Sequence, residues 1–151
     1  MAAAARRQHV HAHAQGHDSR RPLPRDNLEI RSDPGKGRGI FATAPIAEGL
    51  LIEAAPVIIV PAAECALLDR TILHDYYFAW GGEPDSASGG AGSGAVALGL
   101  VALCNHSRRP RARVRCNVAR GTLDLVALVP IAAGDEVTID YNCPLWFAAQ
   151  D

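Results

Sequence analysis

Short runs of alternating apolar and polar residues dominate the chain beyond its N-terminal region. Leu28 and Ile30 alternate with polar neighbours, and further extended or β-branched runs cover 40–44, 50–53 and 56–60. Glycine and proline residues separate these runs. Alternation with a period of two is typical of half-buried strands, and the intervening residues favour turns. We therefore predict several short strands in the first half of the chain.

The second half of the chain continues this pattern. Between 109 and 116, arginines alternate with proline, alanine, valine and cysteine, which predicts a half-buried strand with one arginine face. Further strands are predicted over 123–129 and 137–141, on either side of a turn at 130–135. The alternating arginines are Arg109, Arg111, Arg113 and Arg115.

Two segments favour helices and one favours a loop. Apolar residues over 62–77 approximate the spacing of one helical face, and the apolar segment 96–104 is long enough for a short buried helix. The glycine- and serine-rich stretch 81–95 predicts a flexible loop. Because strands are many and short and no regular β-α-β alternation occurs, the predicted fold class is mostly β, of the α+β type, with short helices.

The N-terminal residues 1–24 are predicted to form a disordered His- and Arg-rich tail ahead of one folded domain over 25–148. Only one large aliphatic residue occurs in the first 22 positions, which is too little to offset the entropy of ordering. A short His-rich tract can bind transition metals. A flexible array selects no particular metal, so a solvated tail is the preferred interpretation. The tract contains His9, His11, His13 and His17.

Composition narrows the class of protein. A chain of 151 residues with 48% hydrophobic residues is long enough for a single domain with its own core. Its 15 Lys and Arg residues and 16 Asp and Glu residues nearly cancel, which argues against a protein whose whole surface binds nucleic acid or membranes. The longest apolar run is shorter than the about 20 residues of a membrane-spanning helix, and we expect no secretory signal because the N-terminal residues lack an apolar stretch. We expect an intracellular, cytoplasmic protein without a membrane partner.

The cysteines give no indication of a metal site. No C-x-x-C pair occurs, and the cysteine spacings match no zinc module. Small buried thiols in a reduced chain are therefore expected, and no metal is predicted. The cysteines are Cys65, Cys104, Cys116 and Cys143.

Three polar motifs and one aromatic cluster carry candidate chemistry. Gly35–Gly39 holds three glycines in five residues, which allow backbone to approach a ligand closely. The tripeptide 105–107, Asn-His-Ser, places directional donors and acceptors after a small apolar segment. Gly134–Tyr141 ends in a tyrosine at a predicted strand terminus, and 76–80 holds four of the eight aromatic residues. Taken singly, these motifs are better explained as ordinary turns, hydrogen-bonded core polar groups and core aromatics than as functional sites.

Taken in order, the motifs resemble those of the SET-domain protein-lysine methyltransferases. The order is Gly-x-Gly-x-Gly-Ile-Phe-Ala, then Asn-His-Ser, then Gly-Asp-Glu-Val-Thr-Ile-Asp-Tyr near the C-terminus. The resemblance covers about residues 28–147 and is strongest to compact bacterial and viral SET proteins that lack flanking zinc modules. It implies a β-clip-like fold of several small sheets with short helices and a knot-like C-terminal crossing.

The same resemblance implies a cofactor and the residues that bind it. In the family, the glycine turn lays its backbone against S-adenosylmethionine, which here implies Lys36, Gly37 and Arg38. The family's Asn-His pair, which holds the amino-acid and adenine portions of this cofactor, falls on Asn105 and His106.

Three aromatic residues acquire roles by resemblance. Tyr141 matches the catalytic tyrosine, Trp146 would stack on or cover the adenine, and Tyr76 would form part of the lysine channel. Methyl transfer to an amine is an in-line displacement, in which positioning alone can contribute about 7–11 kcal/mol. An apolar aromatic channel also lowers the lysine pKa and so favours the neutral nucleophile.

Three departures from the family pattern keep other functions open. Arg108 stands where many members have a zinc-binding cysteine, so no such zinc is expected. Arg111 and Asn142 stand where the family often has asparagine and glycine, which leaves a catalytically inactive SET-like binding module as an alternative.

A second alternative is an adaptor that binds an acidic partner or nucleic acid through the Arg109–Arg115 strand. No acidic residue lies between Asp85 and Asp124, although a solvated strand face is the simpler interpretation. The expected partner of an active enzyme is a protein with a target lysine. Small SET proteins also form homodimers, but no apolar seam in this sequence requires one.

Overall fold

A computed structural model describes residues 21–81 and 92–141. The predicted tail up to residue 20, residues 82–91 of the predicted loop, and the stretch 142–151 with Asn142, Cys143 and Trp146 lie outside the described residues. Within the described ranges, no helix has the length and apolar character needed to cross a membrane.

In the described ranges, seven strands form two sheets. A two-stranded sheet pairs β1 with β2, and a five-stranded sheet has the order β4-β5-β3-β7-β6. Every one of these pairings is antiparallel. The strands are β1 Leu28–Asp33, β2 Gly37–Ala42, β3 Leu51–Val60, β4 Tyr77–Ala79, β5 Gly94–Ala97, β6 Ala112–Asn117 and β7 Thr122–Ala127. This architecture confirms the predicted mostly-β class.

One face of the five-stranded sheet packs on the main core. Leu123 and Leu125 of β7 are both 0% exposed, and Cys116 of β6 pairs with Leu123 on the same face. Because side chains alternate across a strand, Arg113 and Arg115 lie on the opposite face of β6. The predicted strand with an arginine face is therefore confirmed, although β6 begins at residue 112 and not at 109.

The helix predicted over 62–77 is wrong beyond Leu68. The Thr71 hydroxyl accepts a hydrogen bond from the Leu73 N–H and begins a separate 3-10 turn. Tyr77 then enters β4, where burial of its ring to 1% exposure outweighs helical spacing. The helical elements are α1 Ala62–Leu68 and the 3-10 helices η1 Arg25–Asn27, η2 Ile72–Asp75 and η3 Leu100–Leu103.

The buried helix predicted over 96–104 is also wrong in its first part. Strand β5 begins at Gly94, inside the predicted loop, and only η3 is helical. A Cβ on Gly94 would lie 2.8 Å from the Tyr77 ring, so the glycine allows strands β4 and β5 to pack closely. A short apolar run does not distinguish a buried strand from a buried helix, and the neighbouring strands decide here.

The final predicted strand, 137–141, is an extended segment with isolated bridges. It lies beside β2 on one side and beside the 105–107 tripeptide on the other. Each partner is available for only a few residues, so no continuous ladder forms. Conversely, the runs predicted over 50–53 and 56–60 join into the single strand β3.

Candidate active site

Segment 136–141 lies between two other parts of the chain and joins the three polar motifs. The Val137 N–H donates to the Ile40 carbonyl of β2 at 2.7 Å. On the other side, the Ile139 N–H donates to the Asn105 carbonyl at 3.0 Å. The glycine turn, the Asn-His-Ser tripeptide and the C-terminal motif, which are far apart in sequence, therefore meet at one junction.

A polar cluster occupies the glycine side of this junction. The Asn105 Nδ2 donates to Glu136 Oε1 at 2.7 Å, and Lys36 Nζ lies 3.4 Å from Glu136 Oε2. A Cβ added to Gly39 would lie 2.5 Å from Glu136 Oε1 and 2.8 Å from Asn105 Nδ2. Only a residue without a side chain leaves room for this pair, so the third glycine of the turn is a steric requirement of the cluster.

Tyr141 is anchored at the other side of the junction. Its hydroxyl donates to the Cys104 carbonyl at 2.9 Å, and its backbone N–H donates to His106 Nδ1 at 3.2 Å. The two rings lie 5.3 Å apart at 56°. The phenol oxygen is thereby held next to the backbone of the Asn-His-Ser segment.

His106 acts as a support for Tyr141. Its side chain is 6% exposed, and Asp140 Oδ1 lies 3.7 Å from its Nδ1. Because Nδ1 accepts the backbone N–H of Tyr141, a neutral imidazole carries its proton on Nε2. His106 therefore positions the tyrosine backbone through its acceptor nitrogen.

Glu53 of β3 caps the helix that leads into the site. Its two carboxylate oxygens accept the N–H groups of Leu100 and Val101 at 2.9 and 2.8 Å. A Cβ on Gly99 would lie 2.7 Å from the same carboxylate, so this glycine allows the cap to form. The cap fixes η3, which ends immediately before Cys104, and so fixes the carbonyl that Tyr141 contacts.

The change Glu53→Gln is expected to lower the free energy of unfolding by about 2 kcal/mol. Hydrogen bonds to a charged group each contribute about 1.5–3 kcal/mol, and in the variant the amide nitrogen would face the N–H of Leu100 or Val101, which it cannot accept. Urea denaturation measures the change. The control is Glu48→Gln, which alters an exposed carboxylate and should stay within about 0.5 kcal/mol of the wild type. Equal losses in both variants would contradict the cap.

Burial raises the pKa of the Cys104 thiol, and the nearby carboxylates of Glu53 and Glu136 raise it further. In the unfolded chain a thiol has a pKa of about 8.5. Above that pH the unfolded state releases a proton that the folded state keeps, so stability falls as pH rises, by up to about 1.4 kcal/mol per pH unit. We expect Cys104→Ala to show a shallower decline than the wild type in urea denaturation between about pH 8 and 10. Parallel declines would contradict this.

The other predicted site residues have different surroundings. Gly37 has a positive φ of 82° and its Cβ position faces open space. Arg38 is exposed at the start of β2. Tyr76 is half-buried directly after η2, and no side-chain hydrogen bond or ring contact joins it to Tyr141 in the described part of the chain. Trp146 lies outside the described residues.

Three residues of the site are absent from the sequence-based set. Gly39 and Glu136 belong to the motifs already noted, and their motif membership is the signal that could have identified them. Glu53 carries no such signal, because only the packing of β3 against η3 brings it to the site. Within residues 21–81 and 92–141, no group of three His, Cys, Asp or Glu side chains is arranged to hold a metal ion.

This fold and the junction of its three motifs define a SET-domain protein. The SET domain family matches residues 37–142, which is more than half of the chain, and the chain belongs to that family. It is 32% identical over 127 residues to a histone-lysine N-methyltransferase of Schizosaccharomyces pombe that is specific for H3 lysine 37. That alignment covers 83% of this chain and 80% of the relative.

Solved structures share the fold. The SET-domain protein DIM-5 of Neurospora, a histone lysine methyltransferase, superposes with a TM-score of 0.61 at 21% identity, over 82% of this chain and 55% of that one. SUVH6 of Arabidopsis thaliana, solved in complex with S-adenosylmethionine, gives a TM-score of 0.60 at 21% identity, over 76% of this chain and 28% of that one. At this identity the likeness concerns the fold.

Proposed function

We propose that this chain transfers a methyl group from S-adenosylmethionine to the side-chain amine of a lysine in a protein, through a catalytic domain over 25–148. The observation that carries the proposal is the junction at segment 136–141. There the Gly39–Asn105–Glu136 cluster and the Tyr141 hydroxyl lie on either side of one short stretch of backbone. Family membership supports protein-lysine methylation as the reaction.

The residues of the cluster fit the cofactor that SET methyltransferases use, which is S-adenosylmethionine. When bound, this cofactor supplies an electrophilic methyl group on a positively charged sulfur. Its ammonium and carboxylate match the donors and acceptors of Glu136, Asn105 and Lys36. The missing side chain of Gly39 leaves backbone open to close approach. In this proposal the backbone of 36–38 also contacts the cofactor, and His106 supports the pocket.

Tyr141 is the proposed catalytic residue. Its phenol donates to the Cys104 carbonyl, and the phenol oxygen can in addition accept a hydrogen bond from the substrate amine. This arrangement orients the amine without adding a full charge near the sulfonium. His106 contributes by holding the Tyr141 backbone.

The nucleophile must be a neutral amine, whereas lysine in water has a pKa of about 10.4. Apolar aromatic surroundings disfavour the ammonium form and lower that pKa. We assign this function to Tyr76 as part of the channel wall, and we assign Trp146 to the cover of the adenine. Both assignments rest on the family pattern.

Two measurements test the proposed function. Calorimetry with S-adenosylhomocysteine should detect binding, and ligand binding to the folded state should also raise Tm. Radiolabelled methyl transfer should then proceed to recombinant histone H3, which we choose because the fission-yeast relative is H3-specific. Replacing the H3 lysines by arginine is the matched control. Binding without transfer to any protein favours the inactive binding module, and absence of cofactor binding contradicts the proposal.

A further inference from the structure

The most concentrated charge on the molecule outside the active site lies on and around β6. Six arginines occur between 108 and 120, and no acidic residue occurs between Asp85 and Asp124. Arg113 and Arg115 lie on the side of β6 opposite the main core, and β6 is an edge strand of the five-stranded sheet. We call the pair Arg113 and Arg115 the arginine face.

Four of these six arginines have no carboxylate partner among the described residues. Arg111 is used locally, with Asp135 Oδ2 at 3.5 Å and the Glu136 carbonyl at 3.3 Å, and Arg108 also has an interaction within the protein. In the part of the chain that the structure describes, Arg109, Arg120 and both members of the arginine face have no carboxylate within salt-bridge distance.

The carboxylate of Asp124, on the neighbouring strand, does not neutralise the charge of the arginine face. Asp124 lies directly opposite Arg115, but its oxygens accept hydrogen bonds from Thr122 at 2.7 Å and Asn117 at 2.9 Å. The Arg115 Nε is buried and has no hydrogen-bond partner among the residues that the structure describes. A strand that carries this much unpaired positive charge beside a saturated carboxylate is suited to an external anion.

We propose that the arginine face binds the phosphate backbone of duplex DNA. Residues two apart on an antiparallel strand are about 6.8 Å apart, so Arg113 and Arg115 present two charges at a regular spacing along one face. Arginine binds phosphate through a planar fork of donors. No aromatic residue occurs between 108 and 126, so the face offers no stacking platform of the kind that single-stranded nucleic acids use. Regular charge without stacking favours the duplex.

The face is continuous with the active site along the backbone. The Ala112 N–H at the start of β6 donates to the Thr138 carbonyl at 2.9 Å, three residues before Tyr141. This role of DNA binding rests on the proposed function with a histone as the protein substrate, the substrate class of the fission-yeast relative, because a histone lysine is presented on DNA. The histone segment is itself basic and would be repelled by the face, so contact with the surrounding DNA would hold the enzyme at its substrate.

Fluorescence anisotropy with a labelled duplex DNA of about 20 base pairs tests the proposal. Counterion release gives a slope of log Kobs against log salt of about −0.9 per neutralised phosphate. With Arg109, Arg113, Arg115 and Arg120 engaged, we expect a slope of about −3.6 for the wild type, and a slope about 1.8 smaller in magnitude for Arg113→Ala/Arg115→Ala. Binding by that variant should be at least about 10-fold weaker at about 100 mM salt.

Matched variants separate this face from general charge effects. Arg31→Ala/Arg70→Ala removes the same net charge from exposed positions elsewhere and should keep the wild-type slope. Arg113→Ala alone, at an exposed position, should lower the slope by about 0.9 without affecting folding. Arg113→Lys/Arg115→Lys, which keeps the charge, should keep most of the slope.

The outcomes also separate this inference from the proposed function. Tyr141→Phe should bind DNA as the wild type does, since the face lies outside the catalytic residues. An unchanged slope in Arg113→Ala/Arg115→Ala, an equal loss in the Arg31/Arg70 control, or stronger binding to single-stranded DNA, RNA or an acidic peptide would overturn the proposal. Methyl transfer to isolated H3 that persists while DNA binding is absent overturns the DNA surface alone.

Discussion

Replacing Tyr141 by phenylalanine is expected to reduce kcat for methyl transfer by about 100-fold, in the range lost when a positioned catalytic group is removed. The substitution removes the hydroxyl that contacts the Cys104 carbonyl but keeps the ring that packs on His106. The backbone hydrogen bond to His106 also remains. Cofactor affinity, measured by calorimetry, should therefore stay within about twofold of the wild type, and single-turnover methyl transfer should show the loss.

Tyr77→Phe is the matched control for hydroxyl removal. Tyr77 is buried, and its hydroxyl donates to Asp69 on the α1–η2 connection. This variant should lose about 1.5–3 kcal/mol of stability, the contribution of one hydrogen bond to a charged group, while kcat is unchanged. Wild-type turnover by Tyr141→Phe would contradict the catalytic assignment. A comparable fall in kcat in both variants would indicate a general effect of destabilisation.

Gly39→Ala is expected to lower cofactor affinity by at least about 10-fold and kcat/KM by about 100-fold, the size of effect that a misplacement of about 1 Å can cause. The new Cβ would lie 2.5 Å from Glu136 Oε1 and 2.8 Å from Asn105 Nδ2. Both contacts involve the ends of side chains, which can move aside. The fold should therefore survive, while the hydrogen bond between Asn105 and Glu136 is lost. Calorimetry with S-adenosylhomocysteine and a thermal melt measure the two effects separately.

Gly121→Ala should show the opposite profile. Its Cβ position faces open space, but its φ is +62°, a conformation that alanine adopts at a cost of about 1 kcal/mol. Gly121 lies in the turn between β6 and β7, away from the polar cluster. We expect a lower Tm with unchanged cofactor affinity. If Gly39→Ala loses stability and keeps cofactor affinity, the steric account of the glycine is wrong.

The local pattern of apolar and polar residues was sufficient to predict most strands. It failed where contacts with distant parts of the chain determine the secondary structure. The alternation over 28–30 and 109–116 indicates strands because every second side chain of a strand lies on the same face. The run 96–104 is apolar on all sides, so its periodicity is uninformative. Its division into β5 and η3 depends on pairing with β4 and on the Glu53 cap, both from distant sequence.

The candidate site divides in the same way. Asn105, His106 and Tyr141 are recognisable because motif order preserves their identity, and the structure brings them to one junction. Glu136 and Gly39 are recognisable as motif members, but their mutual contact depends on how segment 136–141 crosses β2. Glu53 could not be identified from sequence motifs, since an isolated glutamate in a predicted strand resembles any surface carboxylate.

The amino-acid sequence by itself determined the strand-rich class, the family, and which residue types are available for methyl transfer, because alternation and motif order are local properties of the chain. Only the tertiary structure decided that Lys36, Asn105 and Glu136 form one cluster and that Tyr141 is anchored on the Cys104 carbonyl. It also decided that Arg111 is paired with Asp135, while the arginine face has no carboxylate partner within residues 21–81 and 92–141. The physical reason is that hydrogen bonds and ion pairs depend on distances between residues far apart in sequence, which only the packed chain sets.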